Sequence, residues 1–158
     1  MQPAEHDLPA APSGDPRADL LQLARRQLAA IRRHPWVPEL LVSRPSIGPN
    51  SLRTLEYFLA VLADTGQDGA AKMELFAMLN GFVSQFAQWE TNQRANGAGE
   101  QWQADLVTYL TIQVSTGRYP HLAAAFAAGA DPGLDPDAVF TRSLGRVVDL
   151  ILGPATVR

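Results

Sequence analysis

The stretch His34–Gly66, HPWVPELLVSRPSIGPNSLRTLEYFLAVLADTG, decides the fold of this chain. Its prolines stand where helices begin or break, because proline lacks the amide proton that a helix interior needs. Between Asn50 and Thr65 leucines recur at helical spacing, which predicts a helix with one buried side. Gly66 then supplies the left-handed residue that commonly ends a helix. The stretch therefore predicts a short helix at about Val37–Val42, a corner, and a longer helix.

Aspartate-proline pairs on either side of this stretch mark further helices. Asp15–Pro16 and Asp135–Pro136 each offer a capping oxygen followed by a proline whose missing amide proton costs nothing at that position. We expect one helix from the first pair to about Arg33 and another from the second pair to Gly153. The first helix carries its apolar residues in one stripe. These residues are Leu20, Leu21, Ala24, Leu28 and Ile31.

The rest of the chain also predicts helices and no strands, since β-branched residues are scattered and apolar residues do not alternate. Asp68 can cap a long helix that runs to about Ala95, and a further helix ends near Gly117 before a short one at His121–Ala128. The fold class is all-α, with about six to seven antiparallel helices in one domain at residues 15–153. Residues 1–14 are expected to be a disordered Pro/Ala-rich tail, and residues 154–158 a flexible end.

The composition excludes several classes of function. The chain has 158 residues, of which 46% are hydrophobic and 18% charged, and this amount of apolar surface fits one core. A net charge of -3 gives no surplus of cations for a DNA backbone. Without cysteine there is neither a disulfide nor a thiolate, which is typical of the cytoplasm. No apolar run is long enough to span a membrane, and no cofactor motif occurs.

The long central helix predicts self-association. Met73, Phe76, Leu79, Val83 and Phe86 follow one line along it, while other large apolar side chains, including Phe82 and Trp89, occupy different angles. A chain of this size cannot easily cover both sides. Each large side chain left in water would forgo about 1.5–3 kcal/mol, so we expect a homodimer that buries the second side.

Two segments carry a resemblance to a known family. RRHPW at residues 32–36 and RPSIGPNSLRTLE at residues 44–56 resemble the C-terminal effector-binding and dimerisation domain of TetR-type transcriptional repressors. The resemblance extends over about residues 15–153. Such repressors carry a helix-turn-helix head of about 50 residues in front, at the small end of domain sizes. Only the tail precedes the first helix here, so the resemblance implies a domain without its head and contact with DNA only through that head.

The resemblance also implies a pocket for a small-molecule effector. Gln22 matches a pocket asparagine of tetracycline-binding relatives, whereas Arg26 replaces a phenylalanine and Phe58 a glutamine. Leu40 stands where those relatives place a histidine that ligates drug-bound magnesium, so no metal site is implied. The pocket is therefore expected to hold a lipophilic effector. The positions carried over are Gln22, Arg26, Leu40, Ser43, Arg44, Leu55, Phe58, Gly81, Phe82 and Glu90.

In the same family the central and last long helices of two subunits form a four-helix bundle. The resemblance therefore implies that residues of these helices contact the partner subunit. The residues assigned to this dimer interface are Leu79, Phe86, Leu144, Val148 and Ile151.

Other interpretations stay open at the level of sequence. Ordinary core packing is the more frequent role for Phe58, Phe82, Leu40 and Leu55, and Gln22 and Glu90 become candidates for ligand binding only if they are buried. No enzyme is expected, because the three histidines lie apart and no nucleophile motif occurs. The alternative to an effector-binding domain is a stand-alone all-α protein that heterodimerises with an intact regulator and blocks its DNA binding.

Overall fold

The computed structural model describes residues 8–34, 48–95, 99–129 and 135–153. Within them it contains six α-helices and no strand, which confirms the all-α fold class. The short helix predicted at Val37–Val42 lies outside the described residues. In chain order the helices are α1 Pro16–Arg33, α2 Pro49–Val61, α3 Gly69–Ala95, α4 Gly99–Ser115, α5 Pro120–Ala127 and α6 Pro136–Leu152.

Three aspartate caps fix where helices begin. The carboxylate of Asp15 accepts a hydrogen bond from the amide of Ala18 at 3.0 Å. Asp68 and Asp135 accept equivalent bonds from the amides of Ala71 and Ala138, at 2.8 Å and 3.0 Å. Each bond satisfies an amide that has no partner within its own helix, so the starts predicted from the aspartates are confirmed.

The end of α2 comes earlier than the sequence predicted, at Val61 rather than at about Thr65. A turn follows, in which the hydroxyl and the backbone amide of Thr65 both donate to the carbonyl of Leu62, at 2.8 Å and 3.3 Å. Gly66 adopts a φ of 77°, in the left-handed region that glycine enters without strain. The glycine stop was therefore correct, but a turn separates it from the helix.

The contacts divide the chain into two compact units. The first unit comprises Met1–Trp89 with Phe140–Arg158, and here α1 packs against α2. The single domain proposed for residues 15–153 stays a prediction. Side chains from four helices form the core of this unit. The largest fully buried members are Leu20, Leu23, Phe58, Leu62, Leu79, Val83, Leu144, Val148 and Ile151.

Aromatic contacts join the helices of the first unit. Phe58 on α2 meets the ring of Phe76 on α3 edge-on, with ring centres 5.2 Å apart. Phe140 on α6 stacks on Phe82 at 5.6 Å and also contacts Phe86 at 4.8 Å. These are the offset and edge geometries that aromatic rings prefer.

The second unit, Glu90–Val139, contains α4 packed against α5. Several of its large apolar side chains are exposed, among them Tyr109 and Ile112 on α4, at 59% and 56%. Its described residues therefore include no large core like that of the first unit.

Leu52 in the first turn of α2 and Leu62 just beyond its end provide a test of the core. Leu62 is fully buried, whereas Leu52 is 53% exposed. We expect Leu62→Ala to lower the free energy of unfolding by about 2–5 kcal/mol, because it leaves a cavity, and Leu52→Ala to change it by less than about 0.5 kcal/mol. Urea denaturation followed by circular dichroism measures both. Equal losses would contradict this description of the core.

Candidate functional site

A solvent-open groove of about 1080 Å³ lies in the first unit between α1 and α2. We call it the α1–α2 groove. The segment before α1 forms one of its walls, with Leu8, Pro9, Ala10 and Pro12. Its size is that of the larger small-molecule sites in proteins, which are commonly about 300–1,000 Å³.

The helical walls of the groove combine apolar and polar groups. Leu23, Gln27 and Ala30 of α1 stand four and three residues apart and so share one face of the helix. α2 contributes the apolar Leu52 and Ala60 together with polar side chains. The polar and charged residues lining the groove are Arg26, Asn50, Arg53, Thr54, Glu56 and Tyr57, besides Gln27.

A buried carboxylate on α1 forms hydrogen bonds to two other walls of the groove, α2 and the segment before α1. Asp19 on α1 is only 4% exposed, and its Oδ1 accepts a hydrogen bond from the hydroxyl of Tyr57 on α2 at 3.2 Å. Its Oδ2 accepts from the backbone amide of Ser13 at 2.9 Å. A buried carboxylate is costly unless it is hydrogen-bonded, and here both oxygens have a donor. Asp19 therefore positions both α2 and the segment before α1.

The surroundings of Tyr57 alter its acidity. Burial raises the pKa of its hydroxyl above the ordinary value, and the negative charge of Asp19 and the hydrogen bond to it raise the pKa further. The cation of Arg26 opposes this effect. The phenol is thereby held in its protonated, donating form.

Gln27 makes a second polar contact between helices. Its Nε2 donates to Oδ1 of Asn80 on α3 at 2.7 Å, which fixes the orientation of the amide group. The other end of the amide is different, because Oε1 is buried and has no hydrogen-bond partner in the described part of the chain. Buried side-chain oxygens in proteins nearly always have a partner, so this one needs an explanation.

The structure distributes the predicted ligand-binding residues over several environments. Of those that it describes, Arg26 lines the α1–α2 groove. Phe58 is fully buried in the core, and Leu55 and Phe82 are half-buried. Gly81 is exposed, with open space beside its Cα. Leu40, Ser43 and Arg44 lie outside the described residues, so the predicted pocket as a whole stays a prediction.

Gln22 and Glu90 are candidates for ligand binding only if their side chains are buried. Gln22 is exposed and therefore does not meet the condition. Glu90 is 6% exposed and does meet it, within the second unit.

The residues predicted for the dimer interface are covered within one chain. Leu79, Leu144, Val148 and Ile151 are fully buried, and Phe86 is 8% exposed. They leave little surface for a partner subunit. Other apolar side chains in the first unit are exposed. They are Leu52, Met73, Met78, Trp89 and Leu150.

Sequence reasoning missed Asp19, Tyr57, Gln27 and Asn80. In the sequence, Asp19 is a first-turn acid of the kind that complements a helix dipole, and Tyr57 continues an apolar stripe. The two members of each pair are far apart in the sequence, 38 residues for Asp19 and Tyr57 and 53 residues for Gln27 and Asn80. The one signal in the sequence was that Gln27 stands four residues after the apolar Leu23, on the same side of a predicted helix.

The described residues also bear on metal binding and on membrane insertion. No group of three or more histidine, aspartate or glutamate side chains is placed there to hold a metal ion. None of the helices that the structure describes has the length and hydropathy needed to cross a bilayer.

Comparison with known proteins gives a family over most of the chain. Residues 8–152 match the family described as tetracyclin repressor-like, C-terminal domain. Over 139 residues the chain is 32% identical to the HTH-type transcriptional repressor DrrR1 of Streptomyces coeruleorubidus. The match covers 84% of this chain and 50% of that relative, so the chain spans about half the length of the curated relative.

The carboxylate at Asp19 leads to a prediction about stability. Tyr57→Phe removes the hydroxyl and leaves a buried carboxylate oxygen without its donor. We expect the free energy of unfolding to fall by about 1–3 kcal/mol. Tyr109→Phe is the matched control, because Tyr109 is 59% exposed, and should change stability by less than about 0.5 kcal/mol. Urea denaturation measures both variants, and equal effects would contradict the role of the buried bond.

The raised pKa of Tyr57 leads to a second prediction. Tyrosine in the unfolded chain ionises near its ordinary pKa of about 10, but in the fold it ionises only at higher pH. The resulting stabilisation is complete below about pH 10 and is lost as the pH rises through the folded pKa. Between about pH 8 and about pH 11, the free energy of unfolding should fall more in the wild-type chain than in Tyr57→Phe. Parallel curves would refute this.

Proposed function

This chain belongs to the tetracyclin repressor-like C-terminal domain family, and from that premise we propose that it is the effector-binding and dimerisation domain of a TetR-type transcriptional repressor. The observation that supports effector binding is the α1–α2 groove, which has the size and the mixed lining of a small-molecule site. The effector is a lipophilic molecule, since Leu8 and Leu52 supply apolar surface beside the polar groups. The domain acts by binding and not by catalysis.

The proposed regulatory role follows from the coupling between effector binding and the conformation of the domain. An effector that binds one conformation of the domain more tightly shifts the population toward that conformation. In a dimer this shift would change the spacing of two attached DNA-binding heads and release them from adjacent major grooves. DNA is then a partner only through such heads, and the compartment is the cytoplasm. Neither the groove nor the family match favours the alternative of a stand-alone heterodimerising protein.

A homodimer forms part of the same proposal. Met78, Phe82 and Trp89 share one face of α3 at spacings of four and seven residues, and Met78 and Trp89 are 45% and 37% exposed. On α6, Leu150 is 65% exposed. A partner subunit would remove these side chains from water, which is favourable by about 25 cal/mol per Å² of apolar surface. The proposed interface therefore uses exposed side chains next to the buried ones that sequence reasoning selected.

Binding to the groove can be tested with N-phenyl-1-naphthylamine, an uncharged apolar fluorophore. We expect saturable binding with one site per chain. Ala30→Trp should weaken it because the indole occupies part of the groove, whereas Ala29→Trp is the matched control, since Ala29 is exposed and does not line the groove. Fluorescence titration measures both. Equal affinities in Ala30→Trp and Ala29→Trp, or no binding to the wild-type chain, would contradict the effector site.

The dimer can be tested by sedimentation across a dilution series. The wild-type chain should remain dimeric at nanomolar concentration, which corresponds to about 12 kcal/mol of association. Met78→Glu and Leu150→Glu should give monomers, because each places a charge in the interface. Ile112→Glu is the control, as it changes an equally exposed side chain of the second unit. A wild-type monomer at micromolar concentration would refute the proposal.

A further inference from the structure

The segment before α1 is a wall of the α1–α2 groove that no helix supplies. We propose that Asp19 is a positioning residue of the effector site, because its hydrogen bond to Ser13 holds this segment in place and the affinity for the effector depends on that bond. The proposal rests on the function proposed for the groove. Asp19 does not itself line the groove, so it acts on the ligand only through the segment.

The segment reaches the groove because the chain bends before α1. An α-helix rises 1.5 Å per residue, so Ala30 lies about 21 Å along α1 from Pro16. A segment that continued in line with the helix would lead away from the groove, yet Leu8–Pro12 lines it together with Ala30. The bend lies at Gly14, whose φ of 96° is in the left-handed region that residues with a Cβ rarely adopt. The conformation of one glycine therefore directs the wall.

One hydrogen bond holds the segment to α1. The amide of Ser13 donates to Oδ2 of Asp19 at 2.9 Å, and among the described residues no other hydrogen bond joins residues 8–14 to a helix. The acceptor is itself fixed, since Asp19 is buried and its other oxygen accepts from Tyr57. Hydrogen bonds to carboxylates are among the stronger ones. Loss of this single bond would release the wall while α1 and α2 stay packed.

The side chains of the segment offer apolar surface to a ligand. Leu8, Pro9 and Pro12 are half-buried, and all three line the groove. A lipophilic molecule can therefore bury surface against the segment as well as against the helices, and its affinity rises with the apolar area removed from water. If the segment left, this area would be lost. Ligand binding and the bond from Ser13 to Asp19 thus stabilise each other.

Gly14→Ala and Gly129→Ala form a matched pair of variants. The two glycines have φ angles of 96° and 93°, and a Cβ at either would meet no atom within 4 Å, so both substitutions add the same kind of backbone strain. Gly129 lies in the second unit, away from the segment. We expect Gly14→Ala to bind N-phenyl-1-naphthylamine about fivefold more weakly than Gly129→Ala, because the strain lowers the population with the wall in place. The emission of the bound probe should also shift to longer wavelength, since water reaches it.

Hydrogen exchange at the amide of Ser13 tests the same coupling in the wild-type chain. This amide exchanges only when its bond to Asp19 opens, so a saturating concentration of N-phenyl-1-naphthylamine should slow the exchange by about fivefold or more. NMR spectroscopy measures the rate with and without the probe. The measurement needs no variant, so poor folding of Gly14→Ala cannot leave the inference untested.

The outcomes distinguish a failure of this inference from a failure of the proposed function. Equal affinities in the two glycine variants, or an exchange rate at Ser13 that the probe does not change, would overturn the role of Asp19. If Ala30→Trp still weakens binding in that case, the groove remains a ligand site whose affinity does not depend on the segment. If the wild-type chain binds no probe, the proposed function and the inference both fail.

Discussion

The packing of α1 against α2 is the interaction on which the rest of the described structure depends. Leu20, Leu23 and Leu28 of α1 are buried together with Phe58 of α2 and Leu62 just beyond it, and this apolar contact fixes the distance between the helices. The α1–α2 groove is lined by residues at the edge of the same contact. The same packing brings Asp19 within hydrogen-bond distance of Tyr57. Core and candidate site therefore share one pair of helices.

Two buried polar groups near the groove differ in how many of their hydrogen bonds are satisfied. Both oxygens of Asp19 accept hydrogen bonds, so this carboxylate stabilises the folded chain and holds the segment before α1 in place. Gln27 has one satisfied end and one unsatisfied end. The unsatisfied end of Gln27 reduces the stability of the folded chain, because a buried acceptor without a donor costs about as much as a lost hydrogen bond.

The burial of the core also bears on self-association. The apolar side chains that sequence reasoning assigned to the dimer interface are used to hold the first unit together. Hydrophobic periodicity identifies which side chains avoid water, but it does not distinguish a neighbour in the same chain from one in another chain. The exposed Met78, Trp89 and Leu150 are what remains for a partner. A dimer would therefore bury these exposed side chains and not the core residues of the same helices.

The sequence by itself determined the helices, because their signals act over three or four residues. The aspartates at 15, 68 and 135 cap amides three positions later, and Leu20, Ala24 and Leu28 of the stripe predicted on α1 are buried. Of the residues that line the α1–α2 groove, the sequence analysis selected Arg26 as a ligand-binding candidate but did not select Tyr57 or Gln27. Only the tertiary structure decided the pairs Asp19–Tyr57 and Gln27–Asn80, whose members lie 38 and 53 residues apart. Such partners are selected by the way helices pack, and no local pattern in one helix encodes which side chain of another will face it.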